Sequence, residues 1–80
     1  MDKVEVTAYF DIHGKVTPLN FVWNGSTFRV EDTGRRWETK GGRHMLVMIA
    51  GHRVFHLMFE CSTCTWNLVH SSLNPSESQF

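Results

Sequence analysis

Hydrophobic and polar residues alternate with a period of two along much of this chain. Near the N-terminus, apolar side chains stand at every second position (Val4, Val6, Ala8 and Phe10). Successive side chains of a β-strand point to opposite faces of the sheet, so this pattern predicts a strand that is buried on one face. Similar stretches recur between turn-forming residues, and none has a helical period of useful length. The pattern predicts about six short strands and no helix.

The clearest turn signal is Asn24-Gly25, which separates the apolar stretch around Phe21 from the one around Phe28. A two-residue type I′ turn needs positive φ at both central residues, and Asn-Gly accepts this conformation. Such a turn fixes the register, so we expect Phe21 to face Phe28 across the hairpin. This aromatic hairpin is the predicted nucleus of the sheet.

Consecutive strands with tight turns predict an all-β fold, a small antiparallel meander that is barrel-like or a half-open roll. We expect one β domain over residues 1–70 and a flexible C-terminal tail over residues 71–80, which is rich in serine. The predicted core takes the inward residues of every strand: Val4, Val6, Phe10, Phe21, Trp23, Phe28, Val30, Val47, Ile49, Phe55, Leu57, Phe59, Trp66 and Leu68.

Composition narrows the functional classes. The 80 residues carry 8 basic and 8 acidic side chains, so a strongly basic nucleic-acid-binding protein is not indicated. No apolar stretch approaches the roughly 20 residues of a membrane span, and the N-terminus does not resemble a signal peptide, so we expect a cytoplasmic protein without a membrane partner. A domain this small has limited buried surface, and outward apolar residues (Met48, Val54 and Met58) make a homodimer a reasonable expectation.

A longer motif in the central hairpin resembles a known family. The pattern Pro-x-x-Phe-x-Trp-x-Gly-x-x-Phe-x-Val runs from Pro18 to Val30, and Trp66-Asn67-Leu68 matches a closing Trp-x-Leu. Together they resemble a family of small uncharacterised bacterial all-β domains, some of them linked to error-prone DNA-repair polymerase proteins. The resemblance implies a bacterial DNA-repair accessory role, with no established activity or site. The chain departs from the family at Gly41–His44 and at Cys61–Cys64.

The candidate partner-binding residues surround an isolated tryptophan in a basic stretch of the chain: Arg35, Arg36, Trp37, Lys40 and Arg43. Tryptophan and arginine are the residue types most enriched at binding hot spots. We therefore expect a non-enzymatic interaction module that binds a protein partner or a second copy of itself.

A second hypothesis is a structural β domain that is stabilised by zinc or by homodimerisation. Cys61-x-x-Cys64 has the spacing of half a zinc site. His56 and His70, on the strands that flank the cysteine turn, would supply the other two ligands. Apart from this zinc, no cofactor is expected.

Two further hypotheses are weaker. Exposed aromatic rings beside arginines would suit single-stranded nucleic acid, but zero net charge gives little counterion release to drive binding. The five histidines would suit a small hydrolase, but no sequence spacing enforces a carboxylate or nucleophile beside an imidazole. We therefore expect no catalytic residues.

Overall fold

The computed structural model describes residues 2–73 and Phe80, with side chains for residues 2–69 and Phe80. This part of the chain is all-β, as predicted, and contains no helix. Its seven strands are β1 (Asp2–Phe10), β2 (Val16–Trp23), β3 (Ser26–Arg29), β4 (Asp32–Thr39), β5 (Gly42–Ile49), β6 (Arg53–Glu60) and β7 (Thr65–Leu73).

The strands form one antiparallel sheet in the order β3-β2-β1-β7-β6-β5-β4. Two sets of consecutive hairpins, β1 to β3 and β4 to β7, are joined where the first strand pairs with the last. Asp2 lies opposite Leu68 and Val4 opposite Trp66 in this ladder. The fold is therefore a meander in two parts, closed by one pairing between strands far apart in sequence.

The β2–β3 hairpin confirms the predicted register, with Phe21 opposite Phe28 and Trp23 opposite Ser26. Asn24 and Gly25 have φ values of 50° and 76°, the positive values that a type I′ turn requires.

A bend after β3 carries the chain from one edge of the sheet to the other. Val30 N–H donates to the carbonyl of Leu19 in β2, whereas Glu31 N–H donates to the carbonyl of Met48 in β5. Beyond this bend, β2 pairs with β1 and β4 pairs with β5. The sheet therefore stays open between β2 and β4. Pro18 lies at this open edge, beside a register shift in the β1–β2 ladder, which suits a residue without an N–H donor. The result is the half-open roll.

The interior of the roll is aromatic. Phe55 and Phe21 are fully buried, and their ring centroids lie 5.2 Å apart. Phe28 and Trp23 pack against Phe55, each with a centroid distance of 5.8 Å. The buried core comprises Val16, Phe21, Met45, Val47, Ile49, Phe55, Leu57, Trp66 and Leu68.

The predicted core is largely confirmed, with one error and four omissions. Phe10 is 49% exposed, because it lies at the open end of the roll, where its ring meets the edge of Phe59. Val16, Met45, Leu46 and Val54 are buried but were absent from the predicted core. The prediction took Val54 as an outward residue, because the alternation gives each strand only one buried face.

The outer face of the sheet is also buried in places. Val54 has no exposed surface within the single chain, and Leu46 is 2% exposed. Val54 therefore offers nothing for a second copy to cover, which removes one residue of the expected dimer surface. Met48 and Met58 keep partial exposure, and the homodimer stays a prediction.

The predicted boundary after residue 70 falls inside a strand, because β7 continues to Leu73. Residues 74–79 of the predicted tail lie outside the described part of the chain. Phe80 lies against β4, where its carbonyl accepts a hydrogen bond of 2.8 Å from Arg35 N–H. A Cβ built on Gly34 would come within 2.8 Å of the Phe80 ring. Glycine at position 34 therefore permits this contact.

Candidate functional site

The opening between β2 and β4 forms a cleft on the surface of the roll. One part of it has a volume of about 360 Å³ and is lined by the β1–β2 turn on one side and by β4 and β5 on the other. The charged and aromatic residues of this lining are His13, Lys15, Arg36, Trp37, Glu38, Arg43 and His44. We call this part the cationic cleft. A second hollow of about 350 Å³ extends from Arg36 toward the bend at Val30 and Glu31.

Two arginines span the cleft. Arg36 Nη1 donates to the carbonyl of Val16, and Arg43 Nη1 donates to the carbonyl of Gly14. Both carbonyls belong to β2 or to the turn before it, so guanidinium groups replace the missing backbone ladder. A guanidinium has five N–H donors, so each arginine keeps donors for a ligand while its position is fixed.

Trp37 lies beside the cleft, half-buried between two partners. The guanidinium carbon of Arg35 is 4.6 Å from the centroid of the indole ring. The imidazole of His44, its cross-strand neighbour, stacks on the indole at 5.2 Å with an interplanar angle of 10°. Cation–π attraction and stacking therefore hold the indole in one orientation.

A chain of hydrogen bonds connects Thr39, His44 and His56. Thr39 Oγ1 lies 2.8 Å from His44 Nε2, and His44 Nδ1 lies 2.9 Å from His56 Nε2. The register explains this contact: His44 faces Met58 and Leu46 faces His56, so the two imidazoles are diagonal neighbours on one face. Sequence spacing alone could not reveal this cluster.

The order hydroxyl, imidazole, imidazole resembles a nucleophile with its base, and burial decides the charge of the central imidazole. Burial lowers the pKa of His44, so its charged form is disfavoured. Neither hydrogen-bond partner of His44 shown here is a carboxylate that would stabilise an imidazolium. The arrangement favours a neutral imidazole whose main effect is to fix the Trp37 side of the cleft.

The predicted partner-binding residues are mostly brought together. Arg36, Trp37 and Arg43 line the cleft, and Arg35 lies over the indole. Lys40 is exposed on the β4–β5 turn and is not part of the cleft lining. Lys15 belongs to the lining but was not predicted, because its contribution depends on the β1–β2 turn facing β5.

Among the predicted zinc ligands, His56 lies away from the two cysteines. Cys61 and Cys64 are exposed on the β6–β7 turn, with Cys64 Sγ 3.8 Å from the carbonyl of Cys61. His56 lies five residues earlier along β6, which separates it from Cys61 by about 16 Å at the usual strand rise. His70 pairs with His56 in the backbone ladder, and its side chain lies outside the described part. Within that part, no three His, Cys, Asp or Glu side chains are placed to hold a metal ion.

Among the residues that the structure describes, no helix has the length and apolar character needed to cross a membrane.

Comparison with known proteins gives no relative: no family model, curated protein or solved structure matches this chain. The family resemblance of the Pro18–Val30 hairpin thus stays a prediction. The fold and the site define a small half-open β roll with a cationic cleft at the opening between β2 and β4.

Proposed function

We propose that this chain is a non-enzymatic interaction module whose cationic cleft binds an acidic segment of a protein partner. The observation that carries the proposal is the fixed placement of Arg36 and Arg43 by backbone carbonyls across the cleft. Ligand-binding side chains that are already ordered lose less conformational entropy on binding, which favours affinity.

The charges of the cleft support an acidic ligand. Lys15, Arg36 and Arg43 face a single carboxylate of the lining, that of Glu38. Glu38 is 3.9 Å from Arg43 and its side chain is 78% exposed, so this ion pair is weak and easily replaced. Arginine binds carboxylates in a planar, bidentate geometry, which suits aspartate or glutamate side chains of a partner.

The surroundings of Trp37 support a protein ligand over a nucleic acid. Both Arg35 and His44 already cover parts of the indole. Proteins that bind single strands present free aromatic faces on which bases stack. Single-stranded nucleic acid is therefore the second candidate, and the basic lining of the cleft is the observation that favours it.

The hairpin resemblance suggests where the partner would be found. If the chain is similar in role to the domains that its Pro18–Val30 motif resembles, the partner is a bacterial DNA-repair protein and the module is its accessory. The zinc-stabilised and homodimeric alternatives have less support, given the distance between Cys61 and His56 along β6 and the burial of Val54.

The test uses two fluorescein-labelled probes of equal length, an oligoglutamate peptide and oligothymidylate, titrated with the full chain at low and moderate salt. The cleft variant is Lys15→Glu, and the matched control is Lys3→Glu, an exposed lysine of β1 outside the cleft lining. We expect Lys15→Glu to weaken peptide binding about tenfold and Lys3→Glu less than about twofold. The reason is that only a lysine close to the carboxylates of the bound peptide contributes strongly to the affinity.

Equal effects of the two variants, or no peptide binding by the unmodified chain, would contradict the proposal. Tighter binding of oligothymidylate, with the same dependence on Lys15, would replace the protein partner by nucleic acid. The non-enzymatic part is tested with p-nitrophenyl acetate: we expect the same slow hydrolysis from the unmodified chain and from His44→Ala.

A further inference from the structure

The β1–β2 hairpin ends in an unusually apolar tip. Ile12 is 95% exposed, Tyr9 is 60% exposed and Phe10 is 49% exposed. We call residues 9–15 the hairpin tip. A fully exposed isoleucine accompanied by two exposed rings is an apolar surface that water does not favour.

The turn that presents Ile12 is firmly held. The carboxylate oxygen Oδ1 of Asp11 accepts hydrogen bonds from the N–H groups of His13 and Lys15, at 2.8 and 2.9 Å. The backbone of Asp11 adds two more, to Lys15 and Gly14, each at 3.0 Å. Gly14 has a φ of 82°, which this tight turn requires. The exposure of Ile12 is therefore a property of an ordered turn.

The apolar side chains lie on both faces of the hairpin. Tyr9 and Phe10 are successive residues of β1, so their side chains point to opposite faces, and Ile12 extends from the end. A binding surface on another protein would cover one face of such a tip. An apolar liquid-like environment such as lipid acyl chains surrounds the tip and covers both faces and the end at once. A tyrosine, with an apolar ring and a polar hydroxyl, suits the boundary between such an environment and water.

Cationic groups lie directly behind the tip. Lys15 belongs to it, and Arg43 donates to the carbonyl of Gly14. Arg43 also has a weak ion pair with the exposed Glu38 at 3.9 Å, which a phosphate group can replace. The carboxylate of Asp11 accepts hydrogen bonds from the turn's own N–H groups, which partly offset its charge. An apolar end with basic residues behind it has the polarity of the boundary between acyl chains and anionic headgroups.

We propose that the hairpin tip inserts into the surface of an anionic phospholipid membrane, with Ile12 among the acyl chains and Lys15 and Arg43 at the phosphate groups. This mode of binding requires no membrane-spanning segment. It goes beyond the proposed function, because it rests on the apolar side chains of the tip and needs no acidic peptide in the cleft.

The test is co-sedimentation of the full chain with vesicles of phosphatidylcholine alone and of phosphatidylcholine mixed equally with phosphatidylserine. The tip variant is Ile12→Asp. The matched control is Leu19→Asp, the same change at an apolar residue of β2 that is 47% exposed and lies away from the tip. Both positions are exposed, so we expect both variants to fold, and circular dichroism checks this.

We expect the unmodified chain to bind the vesicles that contain phosphatidylserine and not those of phosphatidylcholine alone. Ile12→Asp should lower the partition coefficient at least about tenfold, the scale of one buried aliphatic side chain, and Leu19→Asp should change it less than about twofold. Ile12→Leu should retain binding.

No binding to the anionic vesicles, or equal losses in the two aspartate variants, would overturn the proposal. So would a dependence on Ile12 that appears with oligoglutamate or oligothymidylate and not with vesicles. Vesicle binding that persists when peptide binding fails would leave the tip proposal standing and remove the proposed function, so the two are separable.

Discussion

The two sides of this small roll are held together differently. On the closed side, β1, β7, β6 and β5 are joined by backbone ladders, with register shifts around His56 in the β6–β7 ladder. On the open side, the side chain of Arg36 in β4 donates to the Val16 carbonyl of β2. The side chain of Arg43 in β5 donates to the Gly14 carbonyl in the turn before β2. Backbone ladders leave no free donors between strands, whereas arginine bridges leave a cleft and spare donors. The open side therefore carries the cleft in which we propose that a partner binds.

The largest expected effect belongs to the closed, aromatic interior. Phe55→Ala removes a fully buried ring that contacts Phe21, Phe28 and Trp23. We expect the free energy of unfolding to fall by about 3–5 kcal/mol, which would leave the domain largely unfolded. Urea denaturation followed by circular dichroism measures this. A loss no larger than that of Leu19→Ala, at an exposed site, would show that the interior does not carry the stability.

The free energy of unfolding should be less sensitive to substitutions on the open side. Arg36→Met keeps much of the side-chain stem but removes the donor to the Val16 carbonyl. We expect a loss of about 1.5 kcal/mol, typical of a hydrogen bond from a charged group. Arg29→Met, at an exposed arginine of β3, is the control and should change stability by less than about 0.5 kcal/mol. Equal losses of the free energy of unfolding in the two variants would mean that the Arg36 bridge across the cleft does not stabilise the fold.

A smaller change is expected where Phe80 meets β4. In Gly34→Ala, the new methyl group would lie too close to the Phe80 ring and displace it. The hydrogen bond from Arg35 N–H to the Phe80 carbonyl would be lost, at about 1 kcal/mol. Faster amide hydrogen exchange at Arg35 is the expected signal, and unchanged exchange there would contradict the contact.

The smallest expected effect is a dependence of the free energy of unfolding on pH. Burial lowers the pKa of His44 in the folded chain below its ordinary value of 6.5. The unfolded state therefore binds the proton more readily, so the free energy of unfolding should fall as the pH drops below about 6.5 and level off below the folded pKa. Melting temperatures of the unmodified chain and of His44→Gln, compared between pH 7 and pH 5, test this. A decrease of the same size in His44→Gln would assign the effect to other groups.

The local part of the fold could be predicted from sequence. Asn24-Gly25 predicted one hairpin with its register, and the period-two alternation predicted an all-β chain. The bend at Val30 and Glu31 could not be predicted, because it depends on two hydrogen bonds to strands at opposite ends of the sheet. The pairing of β1 with β7 is likewise a tertiary outcome that turn signals do not encode.

The site was only partly accessible to sequence analysis. Arg35, Arg36, Trp37 and Arg43 lie within nine residues on two paired strands, so local sequence was enough to group them. Lys15 and the His44–His56 pair depend on contacts across the cleft and across β5 and β6. The zinc hypothesis stays a prediction, and the length of β6 between His56 and Cys61 is a feature that Cys-x-x-Cys spacing alone does not show.

The position of β1 has a consequence during protein synthesis. Among the strands that the structure describes, β1 leaves the ribosome before the others, yet one of its two neighbours is β7, which begins some sixty residues later at Thr65. The β2–β3 hairpin can form early, but it cannot join the rest of the sheet until β7 has emerged. Until then, one edge of β1 is unpaired and available to chaperones or to neighbouring nascent chains.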